Sequence, residues 1–306
     1  MTGGPGAVLV MGEALIDLVP SPDDRLTQHA QPGGAPANVA AGLAALSTPS
    51  WFAGTLGGDG FARAIERRLV SAGTELGLCG RSELPTALAV ADPGPDGTGY
   101  HFHLQDTATF RISERAAEAG EFGAVYVGGL AAVVSPAAEA VAATARAAAD
   151  RSVLVVDPNV REDRTLDAGP GARRLRELCA LAGIVKASDE DVLRLWPDAD
   201  PGETCLRLAR EGRLVVLTRG ARGATAYTRT GEPVTVPAVP VEVVNTIGAG
   251  DAFMAAVLNW LSREGAFARA GELSPAGAAE MLGFASRVAA SVVAQEGTQP
   301  VPVPAT

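Results

Sequence analysis

The segment Asn245-Thr246-Ile247-Gly248-Ala249-Gly250-Asp251 runs into Ala252-Phe253-Met254 and an apolar stretch without a breaker as far as Leu261. Glycines directly ahead of such a stretch predict a loop that opens a helix. The first turn of a helix carries unpaired N–H groups and partial positive charge, so a loop poor in side chains there suits a phosphate or a developing anion. Gly248, Ala249 and Gly250 supply the candidate amides. Asp251 sets a carboxylate beside that anion site, and a negative group where negative substrate must sit is costly unless it has work to do. The obvious work is taking a proton from an attacking hydroxyl. The plainer reading gives the glycines to a tight turn and Asp251 to the helix dipole, and a short glycine motif alone does not separate the two.

A second loop of the same kind is Gln31-Pro32-Gly33-Gly34-Ala35-Pro36-Ala37-Asn38. It opens a helix that runs to about Leu46, with Pro36 near the first turn, where its missing N–H does no harm. Asn38 shares a small-residue face with Ala41, Gly42 and Ala45. For a lone amide in that setting, burial with satisfied partners is the usual explanation.

These loops need a frame. Ala7 to Met11 reads as a short apolar strand ending in Gly12-Glu13, and Ala14 to Val19 continues as an alternating segment carrying Asp17. A Ser21-Pro22-Asp23-Asp24 turn and the polar stretch Leu26 to Gln31 follow, as in a strand leaving a sheet for an exposed hairpin. Trp51 to Ala53 is the next expected strand and Phe61 to Ala72 an amphipathic helix. Thr86 to Ala91 and Tyr100 to Leu104 flank Asp92 to Gly99, a hairpin by composition. Parallel crossovers need about a dozen residues and usually a helix, so two hairpins do not fit a regular βα series. They are expected to form a small β lid over about residues 13–32 and 86–105. The runs Ala124 to Val127, Val153 to Val156, Ile184 to Val185 and Leu214 to Leu217 alternate with helical segments such as Pro136 to Ala149 and Gly171 to Leu181. That pattern predicts a parallel sheet with helices on both faces. Ala224 to Tyr227 and Pro233 to Val236 read as a late hairpin, Val241 to Val244 as a short apolar run, and Pro275 to Gln295 as a closing helix. No repeat or low-complexity linker divides the chain, so one domain over residues 1–306 is expected.

In open parallel sheets, ligands bind beyond the carboxyl ends of the strands. Val153 to Val156 exits into Asp157-Pro158-Asn159-Val160-Arg161, Ile184-Val185 into Lys186-Ala187-Ser188-Asp189-Glu190-Asp191, and Leu214 to Leu217 into Thr218-Arg219-Gly220-Ala221-Arg222-Gly223. One sheet edge thus gathers cations, hydroxyls, glycines and carboxylates. The mix suits a nucleoside triphosphate with Mg²⁺: glycine for close approach, carboxylates for the metal, often through water, and arginine for charge. Taken singly, each exit has a plain alternative as a turn, an acidic first turn of a helix, or a strand end.

With 25 basic and 35 acidic residues in 306, the formal charge is −10, which argues against nucleic acid or an anionic membrane as the main partner. Cys79, Cys179 and Cys205 lack metal-ligand spacing and are read as reduced packing residues, consistent with a cytoplasmic protein. No apolar run reaches the roughly 18 residues of a membrane span.

Over essentially its full length the chain resembles the PfkB, or ribokinase-like, carbohydrate kinases. Asn245 to Phe253 is similar to the family's C-terminal signature, and Gly33-Gly34-Ala35-Pro36-Ala37-Asn38-Val39-Ala40 to its N-terminal one. Gly12-Glu13-Ala14-Leu15-Ile16-Asp17 and the Lys-Ala-Ser-Asp-Glu segment look most like fructokinases. The resemblance implies a three-layer α/β/α sandwich with a mostly parallel central sheet and a β lid. It also implies ATP-dependent phosphorylation of a sugar hydroxyl, with Asp251 as base and the Gly248 to Gly250 amides as anion hole. Carried over, Asp17, Gly33, Gly34 and Asn38 hold sugar hydroxyls and Arg161 faces the phosphates. Lys186, Ser188, Thr218, Gly220 and Gly223 line the nucleotide. Two positions depart from the pattern. Asn245 stands where the family usually has Asp at a position associated with a monovalent cation, K⁺. Ser188 and Asp191 stand in the Asn-x-x-Glu metal motif, which makes Asp191 the candidate metal residue.

Fructose is the expected acceptor. Ribose, 2-keto-3-deoxygluconate and a nucleoside are the alternatives within the fold, and a nucleoside would want stacking in the lid, where Phe102 and Phe52 are the candidates. A non-catalytic sugar or nucleotide sensor would not need Asp251. A Rossmann dehydrogenase lacks its close glycine pair after the first strand, and a P-loop NTPase its Gly-Lys-Ser/Thr. Exposed lid edges make a homodimer through the lid an expectation.

Overall fold

The computed structural model describes residues 3–21, 24, 26–94, 97–161, 168–229 and 231–295. In chain order these form β1 (Gly4–Met11), β2 (Leu15–Pro20), β3 (Gln28–Gly33), α1 (Ala35–Ala45), β4 (Ser50–Ala53), β5 (Thr55–Leu56), α2 (Gly60–Ala72), β6 (Gly80–Arg81), β7 (Leu88–Gly94), β8 (Gly97–His103), β9 (Phe122–Gly128), α3 (Ala137–Arg151), β10 (Val153–Asp157), α4 (Ala168–Leu181), β11 (Ile184–Ser188), α5 (Asp189–Leu195), α6 (Pro201–Arg210), β12 (Leu214–Thr218), β13 (Ala224–Tyr227), β14 (Val234–Val236), α7 (Ala249–Arg263) and α8 (Pro275–Val293).

The large sheet has the order β14-β13-β12-β11-β10-β9-β1-β4. β4, β1, β9, β10, β11 and β12 pair in parallel, and β13 and β14 add antiparallel at one edge. Alternate residues of each strand feed opposite faces, so both faces must be covered. Val8, Val10, Tyr126, Val155 and Val216 pack with α1, α2, α7 and α8 in one apolar cluster, while Leu9, Val125, Val127, Val156 and Val215 pack with α3, α4, α5 and α6 in another. The expected α/β/α layering follows. α7 is buried from Asp251 to Leu261, which is why its sequence is apolar all round over that stretch.

β1 has β4 on one side and β9 on the other. The chain therefore leaves β1 in one direction and returns in the other, which opens a crevice beyond the carboxyl ends of β1 and β9. Over that end lies a second sheet of order β3-β2-β7-β8. Its two hairpins are joined by a parallel pair, with Ile16 opposite Leu88 and Asp17 opposite Ala89, so they make one surface rather than two flaps.

Several boundaries differ from the sequence reading. The alternating segment after β1 is a separate strand of the small sheet. β7 and β8 extend to Gly94 and from Gly97, so the second hairpin turn is tighter than its composition indicates, and Pro95 and Asp96 lie outside the described residues. Pro22 and Asp23 of the first turn also lie outside them. Val241 to Val244 forms no strand: the segment is exposed, Val243 at 64%, and is tied down where Val244 and Asn245 donate their N–H groups to Val293 O. Pro237 and Pro240 just ahead of it explain the failure of this apolar run to become a strand. The three cysteines are free, and burial pushes the Cys79 thiol up to about 11.

Candidate active site

The two glycine loops arrive at the same place. Gly34 precedes α1 with φ 94, and Gly248 precedes α7 with φ 79, both in the left-handed region that glycine enters cheaply. From α1, Asn38 Nδ2 donates to Asp251 Oδ2 at 2.8 Å, joining residues 213 apart in sequence. From α2, Arg68 Nη1 donates to Asn38 Oδ1 at 2.8 Å and to Pro32 O at 2.7 Å. Asn38 is thus occupied at both ends of its amide by protein. Its first duty is to hold the carboxylate, and the sugar contact implied by the family resemblance falls to its remaining N–H.

Within α7, Ala252 is the first residue to pair back, to Gly248 O at 2.9 Å, and Ala249 N–H rests on Thr246 O at 3.3 Å. Of the three amides expected to face an anion, Ala249 is therefore partly engaged, and the first turn continues with Gly250 and Asp251. Outside its own helix, a Cβ on Gly250 would meet Lys186 Nζ at 3.4 Å. The ammonium of Lys186 consequently sits under the start of α7. It is buried and bonded to Asp157 Oδ2 at 2.9 Å. A point cation there fits the end of a phosphate chain rather than its base, which refines the expectation that Lys186 lines the nucleotide.

A cavity opens at the switch point between β1 and β9. Its walls include Glu13, Asp17, Gly34, Asn38, Asn159 and Arg161, with Tyr100 and Phe102 from the small sheet. Glu13 is buried, and its carboxylate accepts from the N–H groups of Leu130 (3.2 Å) and Ala131 (2.9 Å). Burial raises its pKa to about 7 against those two hydrogen bonds. Burial and then the Asp251 charge raise Asp17 to about 6, with Arg161 and Arg68 opposing. Asp251 is raised too, first by burial, with the Asn38 hydrogen bond and the Lys186, Arg161 and Arg68 charges pulling it back. Lys186, Arg161 and Arg68 thus favour the ionised form of this carboxylate against the burial that raises it.

The remaining expected positions divide between site and scaffold. A Cβ on Gly33 would lie 2.0 Å from Asp17 Oδ2, so this glycine makes room for Asp17. Gly223 has φ 86, and a Cβ there would lie 2.2 Å from Val236 O. The turn between β12 and β13 therefore suffices to require glycine at that position. Gly220 faces open space at φ 55, and Thr218 ends β12 with its hydroxyl 3.4 Å from Ala187 O. Ser188 caps α5. Asp191 closes the capping box, its Oδ2 accepting from Ser188 N and Oγ and its Oδ1 from Val160 N. With three acceptor positions filled, Asp191 is not placed as a direct metal ligand, because the helix start and the Asp157-Pro158-Asn159 turn use its oxygens. Asn245 Oδ1 accepts from Ile247 N at 3.0 Å, which shapes the loop rather than offering a charge.

Among the described residues no group of three or more His, Cys, Asp or Glu side chains is disposed to cage a metal. Among the described residues, the buried carboxylate oxygen without a hydrogen-bond partner is Asp157 Oδ1, on a fully buried carboxyl that burial raises to about 6. A divalent ion held mainly by phosphates and water, with a carboxylate reaching it through water, fits this donor set.

Sequence reasoning did not find Glu13, Arg68, Tyr100 or Asn159 as site residues. Asn159 carried a signal, since it follows a strand end and adopts φ 42, unusual for a non-glycine residue. Tyr100 stacks on Phe102 with ring centres 6.0 Å apart, whereas Phe52 is fully buried in the core and offers no face to a ligand.

The comparisons with known proteins agree with this geometry. The sequence matches the pfkB family carbohydrate kinase profile over residues 6–306. It is 31% identical to a fructokinase of Rhizobium leguminosarum bv. trifolii over 82% of this chain and 78% of that one. The fold superposes on a fructokinase with bound ATP from Xylella fastidiosa with a TM-score of 0.86 at 26% identity, covering 97% and 95% of the two chains. A fructokinase from Vibrio cholerae O395, in fructose, ADP and potassium ion bound form, gives 0.83 at 25% identity over 97% and 95%. No helix among the described residues is long and apolar enough to cross a membrane. With the family model matched over residues 6–306 and the same fold as these fructokinases, the chain belongs to the pfkB family of carbohydrate kinases, and it is a sugar kinase.

Proposed function

We propose that this enzyme transfers the γ-phosphoryl group of ATP to a hydroxyl of a small sugar, with fructose as the acceptor. The observation that carries the reading is Asp251, buried at the start of α7 and hydrogen-bonded to Asn38, whose side chain lines the cavity with Asp17 and Arg161. Asp251 removes the proton as the sugar oxygen attacks the γ-phosphorus, and the bond to the β-bridging oxygen breaks to release ADP. Charge on the transferring group is met by the first-turn amides of α7, by Lys186 beneath them and by Arg161. Asp17, Gly34 and the free N–H of Asn38 orient the sugar. Thr218 and Gly220 border the nucleotide. Bound Mg²⁺ would supply positive charge to the phosphates, and Asp157 Oδ1 and Asp191 are the residues that would hold it through water. The substrates are those of the cytoplasm.

A second reading, a nucleoside or another small polyol as acceptor, is favoured by the Tyr100–Phe102 pair on the cavity wall. An acceptor panel with Mg-ATP and an ADP readout separates the two. Fructose ranking first supports the proposal; a nucleoside ranking first replaces it; no ADP with any acceptor removes the kinase reaction altogether. The same assay in Na⁺ and in K⁺ tests Asn245, with equal rates as the expected result. A homodimer that covers an outer strand of the small sheet, β3 or β8, is also proposed. A monomeric mass by light scattering would refute it.

A further inference from the structure

We infer that Arg68 is a positioning residue for the catalytic base, acting through Asn38. The inference rests on the kinase reading above and assigns a role to a residue that no motif marks, on a helix that otherwise faces the small sheet. An asparagine amide has an accepting end and a donating end, and the wrong end toward a carboxylate sets two oxygens against each other. Arginine only donates. By taking Asn38 Oδ1 at 2.8 Å, Arg68 leaves Nδ2 as the end that faces Asp251 Oδ2. The same nitrogen takes Pro32 O at 2.7 Å, at the last turn of chain before Gly33-Gly34. One guanidinium group thus fixes both the amide and the strand that leads into α1. Helix α2 sends it in from the side, and no part of the bound sugar or nucleotide is needed to hold it.

Arg68 also adds charge. The ionisable groups that face Asp251 are Lys186 and Arg161 as further cations, Asp17 and Asp157 as anions, and the phenols of Tyr100 and Tyr126. Lys186 is matched by Asp157. Removing Arg68 removes a cation near the base and frees the amide to turn, and both changes favour the protonated, inactive acid.

The test is the pH profile of kcat/KM for the best acceptor, measured on the full chain for wild type, Arg68→Met and Arg68→Lys. Arg68→Met should move the acid limb to higher pH. Its deficit against wild type is then greater on the acid limb than on the high-pH plateau, by about tenfold for each pKa unit the limb moves, and KM for ATP is unchanged. Arg68→Lys, which keeps a donating cation at the same position of α2, should return the limb toward wild type. A constant offset at all pH values, or Arg68→Lys behaving as Arg68→Met, would assign Arg68 to scaffolding and overturn the inference. If Arg68→Met does not fold, Asn38→Asp takes its place. It keeps an acceptor for Arg68 but sets a carboxylate against Asp251, so an unshifted acid limb there is equally fatal. Failure of the kinase reading would show in the wild type, as no ADP with any acceptor, whereas failure of the Arg68 role shows only among the variants.

Discussion

The starts of α1 and α7 look alike in sequence and in backbone, yet they do different jobs. Each is a glycine with φ near 80 to 95 leading a helix with no side-chain cap. At α1 the glycines are enclosed by protein: a Cβ on Gly34 would lie 2.7 Å from Glu13 O, and one on Gly33 would lie 2.0 Å from Asp17 Oδ2. At α7 a Cβ on Gly250 would touch only the tip of a lysine at 3.4 Å. The first loop uses glycine to let the protein close on itself and build a wall. The second uses it to keep side chains off polarised amides. A hydrogen bond between Asn38 and Asp251 links the two, so the wall holds the base.

The largest expected effect falls on the α7 side. Asp251→Asn keeps the shape and the bond to Asn38 but cannot accept a proton, so kcat should drop by about 10²- to 10⁴-fold with ATP affinity nearly unchanged. In the wild type, Asp251 is raised above the ordinary carboxylate range, so kcat/KM should fall as pH drops through that raised value. Asp251→Asn should erase this limb. Near-normal turnover in the variant would remove the distinction between the two helix starts.

The next effect is on stability and belongs to the wall. Glu13 has a folded pKa raised from 4.5 to about 7 by burial. A raised value means that its contribution is fully present below about 4.5 and is lost as pH rises through about 7. Glu13→Gln, which stays neutral, should therefore gain on the wild type between pH 5 and pH 8, by up to about 3 kcal/mol. Thermal melts at the two pH values measure it. A constant difference would place the Glu13 charge outside the balance.

Exchanging the glycines sharpens the comparison further. Gly34→Ala meets backbone and a forbidden φ, and should cost about 1–3 kcal/mol, read as a lower Tm. Gly250→Ala lies in helical backbone, where alanine is favoured by up to about 1 kcal/mol, so Tm should hold or rise. Its methyl group intrudes beside Lys186 Nζ, and kcat should fall by about 10- to 100-fold. A Gly34→Ala variant that is stable but slow, or a Gly250→Ala variant that is fast but unstable, would reverse the assignment.

Much of this frame is visible in the chain before folding. The β-branched runs from Ala124 to Leu217 have only one way to be covered, and the rule that ligands gather beyond carboxyl strand ends marks Asp157, Lys186 and Thr218 as candidates from their positions alone. The loops at Gly34 and Gly248 announce themselves because few residues other than glycine take those angles. Arg68, Glu13 and Tyr100 give no such notice. Arg68 looks like any basic residue on an amphipathic helix, and its reach into the site depends on how α2 packs under the small sheet. Glu13 stands just past a strand end, and its burial depends on the turn after β9, where its carboxylate accepts from the N–H groups of Leu130 and Ala131. Asp191 shows the opposite limit. Ser-x-x-Asp satisfies both a capping box and a diluted metal motif, and the hydrogen bonds to Ser188 and Val160 show the first, leaving Asp191 to reach a metal only through water.

The central claim is that Asp251 stands between the acceptor hydroxyl and the phosphate end held by α7. A crystal structure with fructose and a non-hydrolysable ATP analogue measures this directly. The account predicts one fructose hydroxyl within about 2.6–3.2 Å of an Asp251 carboxylate oxygen, on the side facing the γ-phosphate. A hydroxyl facing the γ-phosphate from Asp17 or Glu13, with Asp251 out of reach behind Asn38, would contradict it.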